Sequence, residues 1–216
     1  MRPHGPRLIT TTAALLAALA VATLAPAARA ETPVWGQERG FSLGLKFLVD
    51  GLGADPSPDP AELVVDDMGS GLALCGGYSF TPRFHLRLTV GAAQHGTAIG
   101  DLDVQRSVGT LEAHYRFMPD RQVCPYVFGS VGGTDVRADQ GINHVKFSGS
   151  MAGVGAGMLV GLTRHLSMDV TGRVDGVNWD TAEWSQDLPG GTVKYADPIE
   201  DSGGSARLEL GLLWQF

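Results

Sequence analysis

His165-Leu166-Ser167 sets a histidine and a serine at base-and-nucleophile spacing. An imidazole that takes the seryl proton can in principle create a nucleophile. No acid has an obvious place beside this pair, and it spans the tight turn Thr163-Arg164-His165 and the strand after it, so a turn-and-strand reading is preferred. His85 and His114, close in pattern to Arg87, Glu112 and Arg116, could ligate a metal or relay a proton. They lack a recognised ligand spacing, and a hydrogen-bonded interior role is expected instead. The glycines at 149, 153, 155, 157 and 161 make no nucleotide loop, because no Lys-Ser/Thr pair closes them and no helix follows. The acidic segments carry no D-x-D-x-D-G pattern. The expectation is a protein without cofactor, metal or catalytic residues.

The charged residues are informative through their periodicity. In Arg207–Phe216, residues Leu208, Leu210, Leu212, Trp214 and Phe216 share one face of an extended strand, and Arg207, Glu209 and Gly211 the other. Period two belongs to a strand; a helix would scatter these apolar residues. The same alternation gives strands over Phe41–Asp50, Ser70–Phe80, Phe84–Gln94, Cys124–Val136, His144–Leu162 and Leu166–Trp179, with a further strand ending at Phe117. Upstream of Leu111, residues Leu102, Val104 and Val108 have the wrong parity, so this fourth strand either begins near Gly109 or carries a bulge there. The connections alternate long and short, from Gly51–Gly69 through Thr81–Arg83 to Asp180–Gly203. Eight strands with short turns on one side and long loops on the other predict an all-β, antiparallel up-and-down transmembrane β-barrel with both ends on the short-turn side.

Alternation does not say which face meets lipid, and a soluble lipocalin-like barrel has the opposite sense. Aromatic residues collect beside the short turns: Phe41, Tyr78, Phe80, Phe84, Tyr115, Phe117, Tyr126, Phe128, Trp214 and Phe216. That is the pattern of an interfacial girdle. The other face mixes glycine and serine with Lys46, Arg87, Arg116, Arg173 and Arg207 against Glu112, Asp169, Asp175 and Glu209. These charges nearly balance and are expected to fill the lumen as a paired network, because an isolated buried charge is costly. Lys46, Glu112, Arg173 and Glu209 are expected at mid-height, and Arg87, Arg116 and Asp169 nearer the short turns. Cys75 is read as inward and Cys124 as outward, leaving two free thiols. Trp179, Trp184 and Tyr195 are read as an upper interface belt.

Residues 1–30 read as a secretory signal: Arg2 and Arg7, an apolar run Ala13–Ala22, and the cleavage pattern Ala28-Arg29-Ala30. The remaining residues, 31–216, form one barrel domain. Removing three arginines leaves thirteen basic against twenty-three acidic residues, a charge of −10. That excess argues against nucleic acid as a partner.

The whole mature chain resembles the OmpA/OmpX-like outer-membrane β-barrel proteins, porin-like small barrels of the cell envelope. The carriers are "GTLEAHYRFMPD" followed by "CPYVFGSVGG", then "AGVGAGMLVGLTRHLSMDVTGRV" and the terminal "LELGLLWQF". Leu208, Leu210, Leu212, Trp214 and Phe216 resemble the strand signal that barrel assembly machinery reads. The resemblance implies a bacterial outer-membrane location, membrane lipid and lipopolysaccharide as surroundings, a monomer, and a structural or surface-interaction role through the outer loops. It leaves a narrow pore as the first alternative. His165 and Ser167 are similar to the pair used by lipid A deacylases, which makes a lipid-modifying enzyme the second.

Overall fold

A computed structural model describes residues 40–53, 65–97, 103–189 and 191–216. Eight strands run β1 Gly40–Gly53, β2 Val65–Ser79, β3 Phe84–Thr97, β4 Asp103–Arg116, β5 Val123–Gln140, β6 Asn143–Gly161, β7 Leu166–Leu188 and β8 Gly191–Gln215. Each pairs antiparallel with its neighbour in sequence, and β8 closes onto β1. Closure leaves no free edge within the barrel wall, so every backbone group there finds a partner without water.

The register fixes the barrel's geometry. Lateral partners lead from Gly40 on β1 through Ser79, His85, His114, Phe128, Gly155, Arg173 and Arg207 and return to β1 at Asp50, ten residues further along. For eight strands such a stagger means a tilt of about 40° and an interior just wide enough for side chains.

The two faces are inverted relative to a soluble protein. Leu45, Phe47, Leu72, Leu74, Leu88, Val90, Leu208, Leu210 and Leu212 are exposed, whereas Lys46, Arg87, Glu112 and Asp169 are each 1% exposed. At the short-turn end an aromatic girdle persists: Phe41 packs on Tyr78, Tyr78 on Phe80, Phe80 on Phe84, and Tyr115 on Phe117. Trp214 and Phe216 add exposed rings there.

Tyr126 and Phe128 do not belong to this girdle, and Cys124 does not point outward: all three face the lumen and are buried. On β5 both faces carry apolar residues, so the alternation alone leaves the phase open. The register decides it by setting Tyr126 opposite Arg116 and Phe128 opposite His114. The inward glycines of β6 are the seats of these rings, since a Cβ at Gly157 would strike Tyr126 and one at Gly155 would strike Phe128. Cys75 and Cys124 are both buried and unbridged.

Further expectations are corrected. β4 neither starts at Gly109 nor bulges; it pairs without a register shift from Asp103, and Val104 and Val108 face inward. The segment Asp180–Gly203 is not an irregular loop, because β7 and β8 stay paired out to Leu188 and Gly191. The pairing absorbs one irregularity between Trp179 and Thr181. The reversal is at Gly191, whose φ of 136° suits glycine. Likewise β5 and β6 are joined by a tight turn at Gly141 (φ 60°), so Arg137–Asn143 is mostly strand. Trp179 is not in an interface belt: it packs against Val108, Met151 and Val177 on the lumen side. Residues 1–39, with the expected signal, 54–64, most of the first long connection, and 98–102, with Leu102, lie outside the described residues.

β1–β4 are 14 or 15 residues long, whereas β5–β8 reach 18 to 25. A tilted strand crosses the hydrocarbon core in about 9–11 residues. The excess on β5–β8 therefore stands as a sheet beyond the membrane.

Candidate functional site

The lumen is lined by charged side chains in three connected groups. Lys46 Nζ donates to Glu209 Oε2 at 2.8 Å and lies 3.2 Å from Asp169 Oδ2. Arg87 Nη1 donates to the same Asp169 oxygen at 2.8 Å, and Tyr126 Oη donates to Asp169 Oδ1 at 2.6 Å. Arg87 is on β3 and Asp169 on β7, so this pair crosses the full width of an eight-stranded ring. The second group centres on Arg173. Its Nη1 donates to Glu112 Oε1 at 2.8 Å, its Nη2 to Asp175 Oδ1 at 2.7 Å and to Ser130 Oγ at 2.8 Å. Glu112 also meets His114 Nε2 at 2.9 Å and accepts from Thr110 at 3.0 Å. The Phe128 ring stacks on His114 and sits under the Arg173 guanidinium. The third group, nearer the outer end, was not read from the sequence. Arg106 Nη1 forks onto both oxygens of Asp50 at 2.9 and 3.0 Å, while Nη2 donates to Ser205 Oγ at 3.1 Å and Nε to Thr134 Oγ1 at 3.0 Å. Arg207 joins it to the first group, with Nε 3.4 Å from Asp50 and Nη1 3.6 Å from Glu209.

Of the nine lumen charges named from the sequence, eight take part in these ion pairs: Lys46, Arg87, Glu112, Asp169, Arg173, Asp175, Arg207 and Glu209. Arg116 is inward but makes no ion pair among the described residues; its Nη1 reaches Ser79 Oγ at 3.4 Å. The expected separation into a mid-height and a lower tier is bridged, since Lys46 and Arg87 share Asp169. Asp50 and Arg106 were missed because Asp50 borders a loop and Arg106 lies beyond the apparent phase break. Counting in twos back from Glu112 through Thr110 would have reached Arg106.

Each mid-barrel charge is held by carboxylate–guanidinium or carboxylate–ammonium bonds, the strong class of hydrogen bond. The purpose of so many polar partners is energetic: a charge removed from water is tolerated only when its remaining bonding positions are met. Chemically the carboxylates are committed to cationic partners, which leaves acid–base chemistry little freedom, although Arg87 Nε, Arg116 Nη2, Arg207 Nη2 and Glu209 Oε1 have no hydrogen-bond partner among the described residues. His85 is bonded between Ser79 (3.0 Å) and Ser42 (3.5 Å).

His165 and Ser167 are drawn to different carbonyls. Ser167, fully buried, donates to Leu213 O at 3.4 Å. The His165 ring, at the exposed turn, bonds Gln215 O at 3.1 Å and stacks on Trp214. The residues expected to resemble an assembly signal, Leu208, Leu210, Leu212, Trp214 and Phe216, are all exposed, the first four on the outer face of β8 and Phe216 just past its end.

The architecture defines a small transmembrane barrel with an ion-paired interior. A family model described as "Outer membrane protein beta-barrel domain" matches residues 11–203, and the chain belongs to that family. It is therefore a protein of the bacterial outer membrane. Among solved structures it is similar to Neisserial surface protein A, at 15% identity and a TM-score of 0.58, covering 83% of this chain and 99% of that one. A major outer membrane protein from Thermus thermophilus matches at 14% identity and 0.55, covering 82% and 99%. Ail, the attachment invasion locus protein of Yersinia pestis, matches at 14% and 0.51, also covering 82% and 99%. At such identities the likeness is one of fold. No curated protein matches the chain.

Proposed function

We propose that this protein is a monomeric, non-enzymatic barrel whose lumen is plugged by the charged network and whose work is structural or interactive, through the strands and loops beyond the membrane. In this reading residues 1–30 are removed on export, residues 31–216 form the barrel, and assembly machinery reads the exposed face of β8. The observation that carries it is the set of ion pairs that tie facing walls together, Arg87 to Asp169 and Arg106 to Asp50, with both guanidinium groups essentially inaccessible. A passage wide enough for solutes would have to break several of these at once.

The outer extension has a character suited to recognition. From residue 180 to 203 its acids are Asp180, Glu183, Asp187, Asp197, Glu200 and Asp201, against Lys194 alone. Near its tip, Trp184 and Tyr195 pack side by side and stay exposed, with Val193 and Leu188 nearby. A solved structure holds Yersinia Ail in complex with the heparin analogue sucrose octasulfate. The acidic hairpin here would repel such a polyanion and favours a partner with cationic and apolar groups, or lipopolysaccharide bridged through cations. Planar-bilayer recording on the purified barrel tests the plug. Brief or absent conductance is expected, whereas a large, steady open level would replace the plug with a pore.

A further inference from the structure

The lumen charges do not balance, and the imbalance is localised. Among the described residues the buried bases are Lys46, Arg87, Arg106, Arg116, Arg173 and Arg207, and the buried acids are Asp50, Glu112, Asp169, Asp175 and Glu209. Five of the six bases have a carboxylate oxygen within 3.4 Å. Arg116 is the sixth: it is 3% exposed, its Nη1 makes one long bond to Ser79 Oγ, and its Nη2 has no protein partner among the described residues. A buried lysine or histidine could shed its proton, but a guanidinium cannot. A neutral water would meet the open N–H groups without answering the charge, and uncompensated charge in a poorly polarisable interior is expensive.

Beside Arg116, under the β4–β5 turn, is a cavity of about 10 Å³ lined by Arg116, Arg121, Gln122, Cys124 and Leu159. Its lining includes Arg116, the otherwise exposed Arg121 and the Gln122 amide, no acid, and a wall that is mostly apolar, with Pro119, Cys124, Leu159 and Gly161 completing it. Its volume suits one particle of roughly water's size. Phosphate or a lipid headgroup is too large. We propose that Arg116 and this cavity form a periplasm-facing site for a single halide-sized anion, chloride in the cell, which completes the charge balance of the lumen floor. The inference does not depend on what the outer extension recognises or on whether the lumen conducts.

The test compares the detergent-solubilised barrel in sodium chloride and in sodium gluconate at equal ionic strength. Gluconate is too bulky for the cavity. A bound anion should raise the thermal unfolding midpoint by about 3–6 °C for each tenfold of chloride above its dissociation constant. That increment should vanish in Arg116→Gln. Equal midpoints in the two salts, or a chloride increment retained by Arg116→Gln, would overturn the site. Should the variant fail to fold, anomalous scattering from wild-type crystals grown in bromide decides. A peak at hydrogen-bonding distance from the Arg116 guanidinium supports the site, and its absence there rejects it.

Discussion

Single residues in this barrel obey inverted rules: a buried arginine is held in place by its partners, while an exposed leucine is where it belongs. Arg173 is the best test. It bonds Glu112, Asp175 and Ser130 at once. Arg173→Met keeps much of the volume but strands two buried carboxylates, and is expected to cost about 3–5 kcal/mol in urea unfolding of the folded barrel. Glycine is the complementary case. Gly155 faces the Phe128 ring, so Gly155→Leu forces that ring out of its stack on His114 and should cost about 1–3 kcal/mol. The charged residues were legible in the sequence because a Lys or Arg within an alternating strand has only one sensible side. Tyr126 and Phe128 were not, because an aromatic ring serves equally well at a headgroup boundary or inside a lumen. What decides is the partner, here Asp169 for the tyrosine hydroxyl and His114 for the phenylalanine ring, and partners on other strands leave no local trace.

At the scale of elements, the strands divide into a membrane part and an outer part that differ in what their surfaces tolerate. On β8, Leu210 is exposed within the apolar belt, and Leu210→Lys is expected to cost about 2–4 kcal/mol in folding from urea into lipid. Val193→Lys, on the same strand but beyond the belt, should stay within about 0.5 kcal/mol. The outer strands are tied near their tips by His144, whose Nδ1 lies 2.6 Å from Asp139 and Nε2 3.3 Å from Asp187. The bond to Asp139 raises the imidazole above its ordinary range, and the Thr192 hydroxyl, then His144, lower Asp187. A raised histidine contributes its stabilisation fully below its unfolded value of about 6.5 and loses it as pH climbs through the folded value. A lowered carboxylate contributes above its own unfolded value, about 3.9, and loses it as pH falls through the folded one. The tie is thus strongest in mildly acidic solution. Amide exchange at residues 183–187 should quicken as pH rises past the histidine's folded value, beyond the intrinsic base-catalysed increase, and His144→Gln should abolish that extra component. The turns Thr81–Arg83 and Thr163–His165 were readable from proline and short spacing. The outer hairpin was not, because the sequence Pro189-Gly190-Gly191 and the six acids of Asp180–Gly203 describe a loop by composition while the pairing of β8 to β7 holds regardless.

For the whole molecule, the eight-stranded count and the strand order followed from alternation and from the long–short rhythm of the connections, and the inverted faces from the aromatic residues beside the short turns and the near-balanced charges opposite them. Those are global regularities that a few phase errors on β4 and β5 do not disturb. The extent of the lumen network did not follow, because it depends on a ten-residue stagger that brings Arg106 to Asp50 and to Ser205 across the ring. All of it rests on lipid touching one face of each strand and ionised groups sheltering behind the other. Nitroxide labels placed singly on cysteines at Leu208, Leu210 and Leu212, in a background lacking Cys75 and Cys124, measure this directly in reconstituted bilayers. Collisions with dissolved oxygen should dominate at all three sites, with little access for a water-soluble nickel chelate. Strong chelate access at all three, with oxygen collisions suppressed, would turn the barrel outside in and contradict the account.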